Sequence, residues 1–231
     1  MKTIGIIGGM SWESSAEYYR VMNEEVKARL GGLHSAKILM SSVDFNGYRQ
    51  NMLNDDFDVI GRDIALEAQR LEKAGADIML IGTNTMHLVA PQVAEAVSVP
   101  LLHIADATAK ALKAQGVTKV GLLGTKFTME RDFYVGRLAD NGIEAVVPGK
   151  TDRELVDRVI FDELCKGEFL DDSRMEYLRV IDDLAAQGAG AVVLGCTEIG
   201  LLVKPEDTNV PVLDTCKIHA AQAVVMALES A

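Results

Sequence analysis

The chain has 231 residues, 48% of them hydrophobic, which is long for one compact core and suits two small lobes. A formal net charge of -11 with no offsetting basic stripe argues against a nucleic-acid partner, though a pocket in such a chain can still be locally positive. Cys165, Cys196 and Cys216 form neither a CxxC pair nor an even framework and read as reduced thiols of a cytoplasmic protein.

The opening MKTIGIIGG is too short in its apolar part for a signal peptide, and nothing approaches the apolar length of a membrane span. Residues 3–7 read as a buried strand, followed by Gly8-Gly9 and a helix. On that helix Tyr19, Met22, Val26 and Leu30 recur at helical spacing, and Gly31-Gly32 stops it. Residues 37–43 form a second strand. Ile60, Ile64, Ala68 and Leu71 mark a helix closed by Gly75. Residues 78–81 are a third strand and 101–104, after Val99-Pro100, a fourth.

The pattern then restarts. Residues 119–123 are a strand ending in Gly124, and the next helix has Thr128 as its expected N-cap and Gly142 as its stop. A strand follows at 144–147. Two helical patterns come next, one with Val156 and Ile160, the other with Tyr177, Val180 and Leu184 before Gly188. Strands at 191–194 and 210–213 precede an alanine-rich helical tail from Cys216. Such alternation predicts an α/β fold with mainly parallel sheets flanked by helices.

The restart is an internal duplication. TIGIIGGMSWES matches KVGLLGTKFTME, IMLIGTNT matches VVLGCTEI, and VPLLHIADATAKAL matches VPVLDTCKIHAAQAV. Gly9 then falls against Gly124, Gly82 against Gly195 and Pro100 against Pro211, in order and at nearly one offset. The expected organisation is a first lobe of residues 1–104 plus 214–231 and a second of 105–213. Ligands in open α/β sheets bind outside the carboxyl ends of strands. Two facing lobes would therefore put Thr83 and Cys196 on opposite walls of one cleft.

Cys196 ends a strand just before a short helix start. The unpaired N–H groups there would draw a thiol pKa from about 8.5 toward neutrality. The competing reading is a small buried residue closing a strand. Across the repeat, Thr83 precedes Asn84 and Thr85, which can cap the next helix or hold a carboxylate.

GGMS (Gly8, Gly9, Met10, Ser11), TNTMH (Thr83 to His87) and GCTEIGLL (Gly195 to Leu202) resemble the motifs of the aspartate/glutamate racemase superfamily, over essentially the whole chain. The resemblance implies two pseudo-symmetric Rossmann-like lobes and a cofactor-independent racemase. In that family two cysteines face each other across the α-carbon and exchange protons with its opposite sides. Glu198 after Cys196-Thr197 resembles the aspartate branch. The family's first cysteine aligns with Thr83, so only one thiol is available, with Thr83, alone or through water, as the second proton carrier. By position, Arg49 and Lys166 fall where aspartate racemases place cations for the side-chain carboxylate, a role that suits the planar guanidinium; solvated surface charges are the alternative for both. Met10, Ser11, Asn84, Thr85, Thr125 and Thr197 are the expected α-carboxylate donors, with His87 and Glu198 behind the first contacts. A substrate with two carboxylates, a homodimer and neither nucleic-acid nor membrane partners are expected.

GIIGGMS is not G-x-G-x-x-G, and Asp44 lies beyond the usual spacing, so a dinucleotide site is rejected. His34, His87, His103 and His219 show no metal-ligand spacing, so no metal is expected. Cys165 reads as core, Asp55-Asp56 and Asp171-Asp172 as solvated caps, and Trp12 as a packing anchor. The sequence thus points to an aspartate, possibly glutamate, racemase acting through Cys196 and Thr83. The alternatives are a single-cysteine decarboxylase of a malonate, as known on the same fold, and a non-catalytic amino-acid binder.

Overall fold

The structure, a computed structural model, describes residues 1–229. The chain forms two compact units. The first is Met1–Ile104 with the chain from His219 on, and the second is Ala105–Ile218.

In the first unit the order is β1 (Ile4–Gly8), α1 (Trp12–Leu30), β2 (Ile38–Ser42), α2 (Phe45–Leu53), α3 (Phe57–Lys73), β3 (Ile78–Ile81), a 3-10 turn (Thr85–Val89) and α4 (Ala90–Ala96). The second holds α5 (Ile104–Ala114), β4 (Lys119–Gly124), α6 (Lys126–Glu130), α7 (Asp132–Asp140), β5 (Glu144–Val146) and α8 (Lys150–Asp162). It continues through a 3-10 turn (Leu164–Lys166), α9 (Asp171–Ala186), β6 (Ala191–Gly195), α10 (Ile199–Leu202) and β7 (Val212–Asp214). The last helix, α11 (Thr215–Leu228), begins in the second unit and runs into the first.

Both sheets are wholly parallel, ordered β2-β1-β3 and β5-β4-β6-β7. β1, β3 and β6 are buried at every position. Helices on both faces leave no solvent side for polar residues, which is why IGIIG, IMLI and AVVLG are continuous apolar runs. The second unit's core gathers Val156, Val159 and Ile160 of α8 and Tyr177, Val180, Ile181 and Leu184 of α9 beneath β6. Tyr177 is fully buried, and its hydroxyl donates to the Val156 carbonyl at 2.9 Å, so the phenol is not stranded.

Four expectations differ from what forms, the simplest being Trp12, expected as a packing anchor and 68% exposed at the start of α1. Residues 101–104 make no strand. Leu101 bridges Met79, flanked by hydrogen bonds from Met79 N to Pro100 O and from Leu102 N to Met79 O, and α5 starts at Ile104. Too little extended chain remains between Pro100 and the helix to extend the ladder. The inward face of α1 carries Tyr18, Val21, Met22 and Val26, whereas Tyr19 and Leu30 are 57% and 44% exposed. Ser14 and Ser15 are also buried and bond the Ser11 carbonyl through their hydroxyls, which fixes the helix's rotation. Finally, Thr128 lies inside α6, and the cap is Thr125, whose hydroxyl accepts from Thr128 N–H. The helical pattern breaks at Arg131, which is extended between α6 and α7.

No helix among the described residues is long and apolar enough to cross a membrane.

Candidate active site

In the first unit β1 and β3 end side by side. Gly82, just past β3, donates its N–H to the Ile7 carbonyl at 2.8 Å. After β1 the chain turns at Gly9, whose φ is 89° and where a Cβ would lie 2.2 Å from the Val43 carbonyl. Only glycine fits there. Gly9 N–H donates to Ser15 Oγ at 2.7 Å. Ser11 then caps α1, its hydroxyl accepting from Ser14 N–H. Met10 and Ser11 are buried, and the peptide between them is cis.

Beside this turn Thr83 is half-buried, and Asn84 and Thr85 are buried. The 3-10 turn that follows carries His87, whose imidazole sits back beneath the corner: its Nδ1 is 2.8 Å from the Thr83 carbonyl, and its Nε2 accepts from Ile104 N–H at 3.1 Å. Arg49 is half-buried on α2, the helix that follows β2 and is capped by Asp44.

The second unit repeats the arrangement with different chemistry. Gly124 and Gly195 pair at the ends of β4 and β6. A Cβ on Gly195 would approach the Leu123 carbonyl to 2.7 Å, so the closeness of these two strand ends depends on glycine. Thr125 follows one strand and Cys196-Thr197-Glu198 the other, and all four are buried. The Cys196 thiol donates to Glu198 Oε2 at 2.9 Å, and the Thr197 hydroxyl donates to the same oxygen at 2.9 Å. One carboxylate oxygen thus collects both side chains of the corner.

The electrostatics here run opposite to the expectation for the thiol. Burial, then the Glu198 charge, push the Cys196 pKa well above the ordinary thiol value. The helix beyond it, α10, is four residues long and begins only at Ile199, so its end is too small and too far along to offset desolvation. Cys196 therefore rests as a thiol hydrogen-bonded to a carboxylate.

Met10, Ser11, Thr83, Asn84 and Thr85 thus share adjacent strand ends in one unit, and Thr125, Cys196, Thr197 and Glu198 do so in the other. Lys166 is exposed at the end of the 3-10 turn that packs on α10, the helix just beyond the cysteine corner. Glu198, expected behind the first contacts, bonds the thiol directly. His219 was not anticipated at all. It is fully buried on α11, and its Nδ1 lies 2.8 Å from the Tyr18 hydroxyl. The available signal was a lone histidine inside an alanine-rich helix. Among the described residues no group of three or more His, Cys, Asp or Glu side chains is arranged to hold a metal ion.

Two parallel sheets flanked by helices, each with a polar corner where two strands end, make up the α/β fold of this chain. The profile of the Asp/Glu/Hydantoin racemase family matches residues 7–223, and the chain belongs to that family. It is an isomerase, in general class an amino-acid racemase. Among solved structures it is similar to a Yersinia pestis protein described as a putative Asp/Glu racemase, with 52% identity, a TM-score of 0.91 and 99% of this chain and 100% of that one covered. It is also similar to an aspartate racemase homologue from Pyrococcus horikoshii OT3, with 35% identity, a TM-score of 0.85, and 98% and 99% covered. A broad-specificity amino-acid racemase from Bacillus subtilis is 24% identical over 169 residues, 73% of each chain.

Proposed function

We propose that this chain racemises aspartate or glutamate by moving protons at the α-carbon with its own side chains. The observation that carries the reading is the Cys196–Glu198 pair at the end of β6, repeated in position but not in chemistry by Thr83 at the end of β3. In this scheme Glu198 takes the thiol proton, and the thiolate then removes the α-hydrogen presented to it. Thr83 delivers a proton to the opposite side, with water replenishing the hydroxyl. Thr83 is a weak partner because an alcohol does not ionise near neutral pH, so reaction is fast from the enantiomer that offers its hydrogen to Cys196 and slow from the other.

Binding follows the same logic. The α-carboxylate is held by donors from Met10, Ser11, Asn84, Thr85, Thr125 and Thr197. Arg49 and Lys166 are the cations for the second carboxylate. The proposal extends to a homodimer in the cytoplasm, which sedimentation and fractionation check.

The test is exchange of the α-hydrogen in deuterated water, run on each pure enantiomer of both amino acids. Faster exchange from one enantiomer of aspartate supports the scheme. Equal rates from both overturn the asymmetry. No exchange from either, together with carbon dioxide release from an α-substituted malonate, assigns the single-cysteine decarboxylase instead; binding without exchange assigns a binder.

A further inference from the structure

Four side chains of the first unit meet beneath the Thr83 corner: Tyr18, His87, His103 and His219, all nearly or fully buried. The His87 and His103 rings lie 4.5 Å apart between centroids, and His219 lies 5.7 Å from both His87 and Tyr18, edge to face. Their partners determine the tautomers. His87 Nε2 accepts the Ile104 N–H, so its proton is on Nδ1, and that N–H donates to the Thr83 carbonyl. His219 Nε2 faces the Leu102 carbonyl at 2.9 Å and must donate to it, so its Nδ1 accepts from the Tyr18 hydroxyl. Every nitrogen of His87 and His219 is therefore committed, and neither ring has an atom left for a metal or a substrate.

The backbone groups engaged are not scattered. Leu102 and Ile104 are at the end of the first unit's main segment, and His219 is the residue at which the chain returns to it. One cluster thus ties the Thr83 carbonyl to the points where the chain leaves and re-enters the unit. Burial supports the neutral state of these rings: His87 is held well below the usual histidine range, and His219 is lowered to about 4.

We propose that His87 is a positioning residue for Thr83, fixing the residue's carbonyl through Nδ1–H and thereby the direction of its hydroxyl, with His219 and Tyr18 packing the imidazole in place. This rests on the proposed function only in giving Thr83 the slow proton step. A core histidine with no such role would lower stability, and any loss of activity would be the same for both enantiomers. A positioning role weakens the Thr83 step selectively.

The two hydrogen bonds can be separated by substitution. His87→Asn places an amide N–H near the position of Nδ1 and keeps the bond to Thr83. His87→Gln reaches instead toward Ile104 and loses it. Exchange from each aspartate enantiomer is measured at saturating substrate on both variants and normalised to the folded fraction from urea titration. The expected result is that His87→Gln lowers the slow direction about ten- to hundred-fold more than the fast one, with KM little changed, and that His87→Asn restores it. Equal loss in both directions, or identical behaviour of the two variants, overturns the proposal. The Thr83 χ1 rotamer, read from three-bond couplings by NMR, gives an answer independent of turnover. One rotamer in wild type and His87→Asn, averaged in His87→Gln, supports positioning even if wild type exchanges no α-hydrogen, in which case only the racemase reading fails. An unchanged rotamer in His87→Gln overturns positioning whatever the activity.

Discussion

The two strand-end corners show how a duplicated fold diverges. At the end of β6, Cys196 and Thr197 both donate to Glu198, and the corner's polar side chains are turned on one another. At the end of β3, Thr83 is held from behind through its backbone by a buried imidazole. In the proposed scheme the supporting residues differ with the task. A thiol that must lose its proton needs a carboxylate within hydrogen-bond reach. A hydroxyl that hardly ionises gains little from a charge and depends on orientation. The sheet keeps the glycines that let neighbouring strand ends close up, while the residues just beyond are free to change.

The largest effect expected from breaking this comparison is at the thiol. Cys196→Ser replaces the ionisable group by an alcohol and makes the corners alike, so exchange from both enantiomers of aspartate should fall about 10²–10⁴-fold, read as deuterium incorporation by mass spectrometry. Thr83→Cys makes the corners alike in the other sense. The slow direction should rise about tenfold or more toward the fast one, and unchanged asymmetry would mean that Thr83 is not the second carrier.

The next prediction concerns pH. His219 is lowered to about 4 by burial, while in the unfolded chain it titrates near the ordinary value of about 6.5. Between these values the unfolded state binds the extra proton. The contribution to stability is therefore complete above about pH 6.5 and is lost as pH falls toward 4, amounting to roughly 3 kcal/mol. Urea titrations should show that loss, and His219→Gln should reduce it, leaving the part that His87 contributes with the same sign. Cys196 behaves with the opposite sign. Its raised pKa favours the folded state below the ordinary thiol value and loses that contribution as pH rises past roughly 8.5, a slope that Cys196→Ser should remove.

The smallest effect is at the matched helix caps. Ser11 and Thr125 each accept an N–H three residues on, at the start of the helix after their unit's first strand. Replacing either by alanine should cost about 1 kcal/mol in urea unfolding. If these caps also hold the α-carboxylate, KM rises in both variants; a stability change alone would limit them to capping.

Much of this molecule is legible as one-dimensional pattern. Buried parallel strands leave continuous apolar runs that end in glycine, and a duplication leaves landmarks at nearly one offset, so the alternation of strands and helices and the two corner motifs could be read directly. Helix rotation could not. Tyr18 and Tyr19 are adjacent and equally apolar, and only the buried serines on the same face select Tyr18. The strand expected at 101–104 fails because local apolarity cannot say how many residues a ladder accepts before the next helix begins.

What the sequence determined alone is therefore what depends on local composition and spacing: the α/β class, the strand-end corners, and the threonine at the first of them where the second carries a cysteine. The tertiary structure decided what depends on distant neighbours. Desolvation and Glu198 raise the Cys196 pKa where its place before a helix suggested lowering, because burial is a property of everything packed around an atom. His87 and His219 are separated by well over half the chain, and nothing in either local sequence announces that their rings pack together under Thr83.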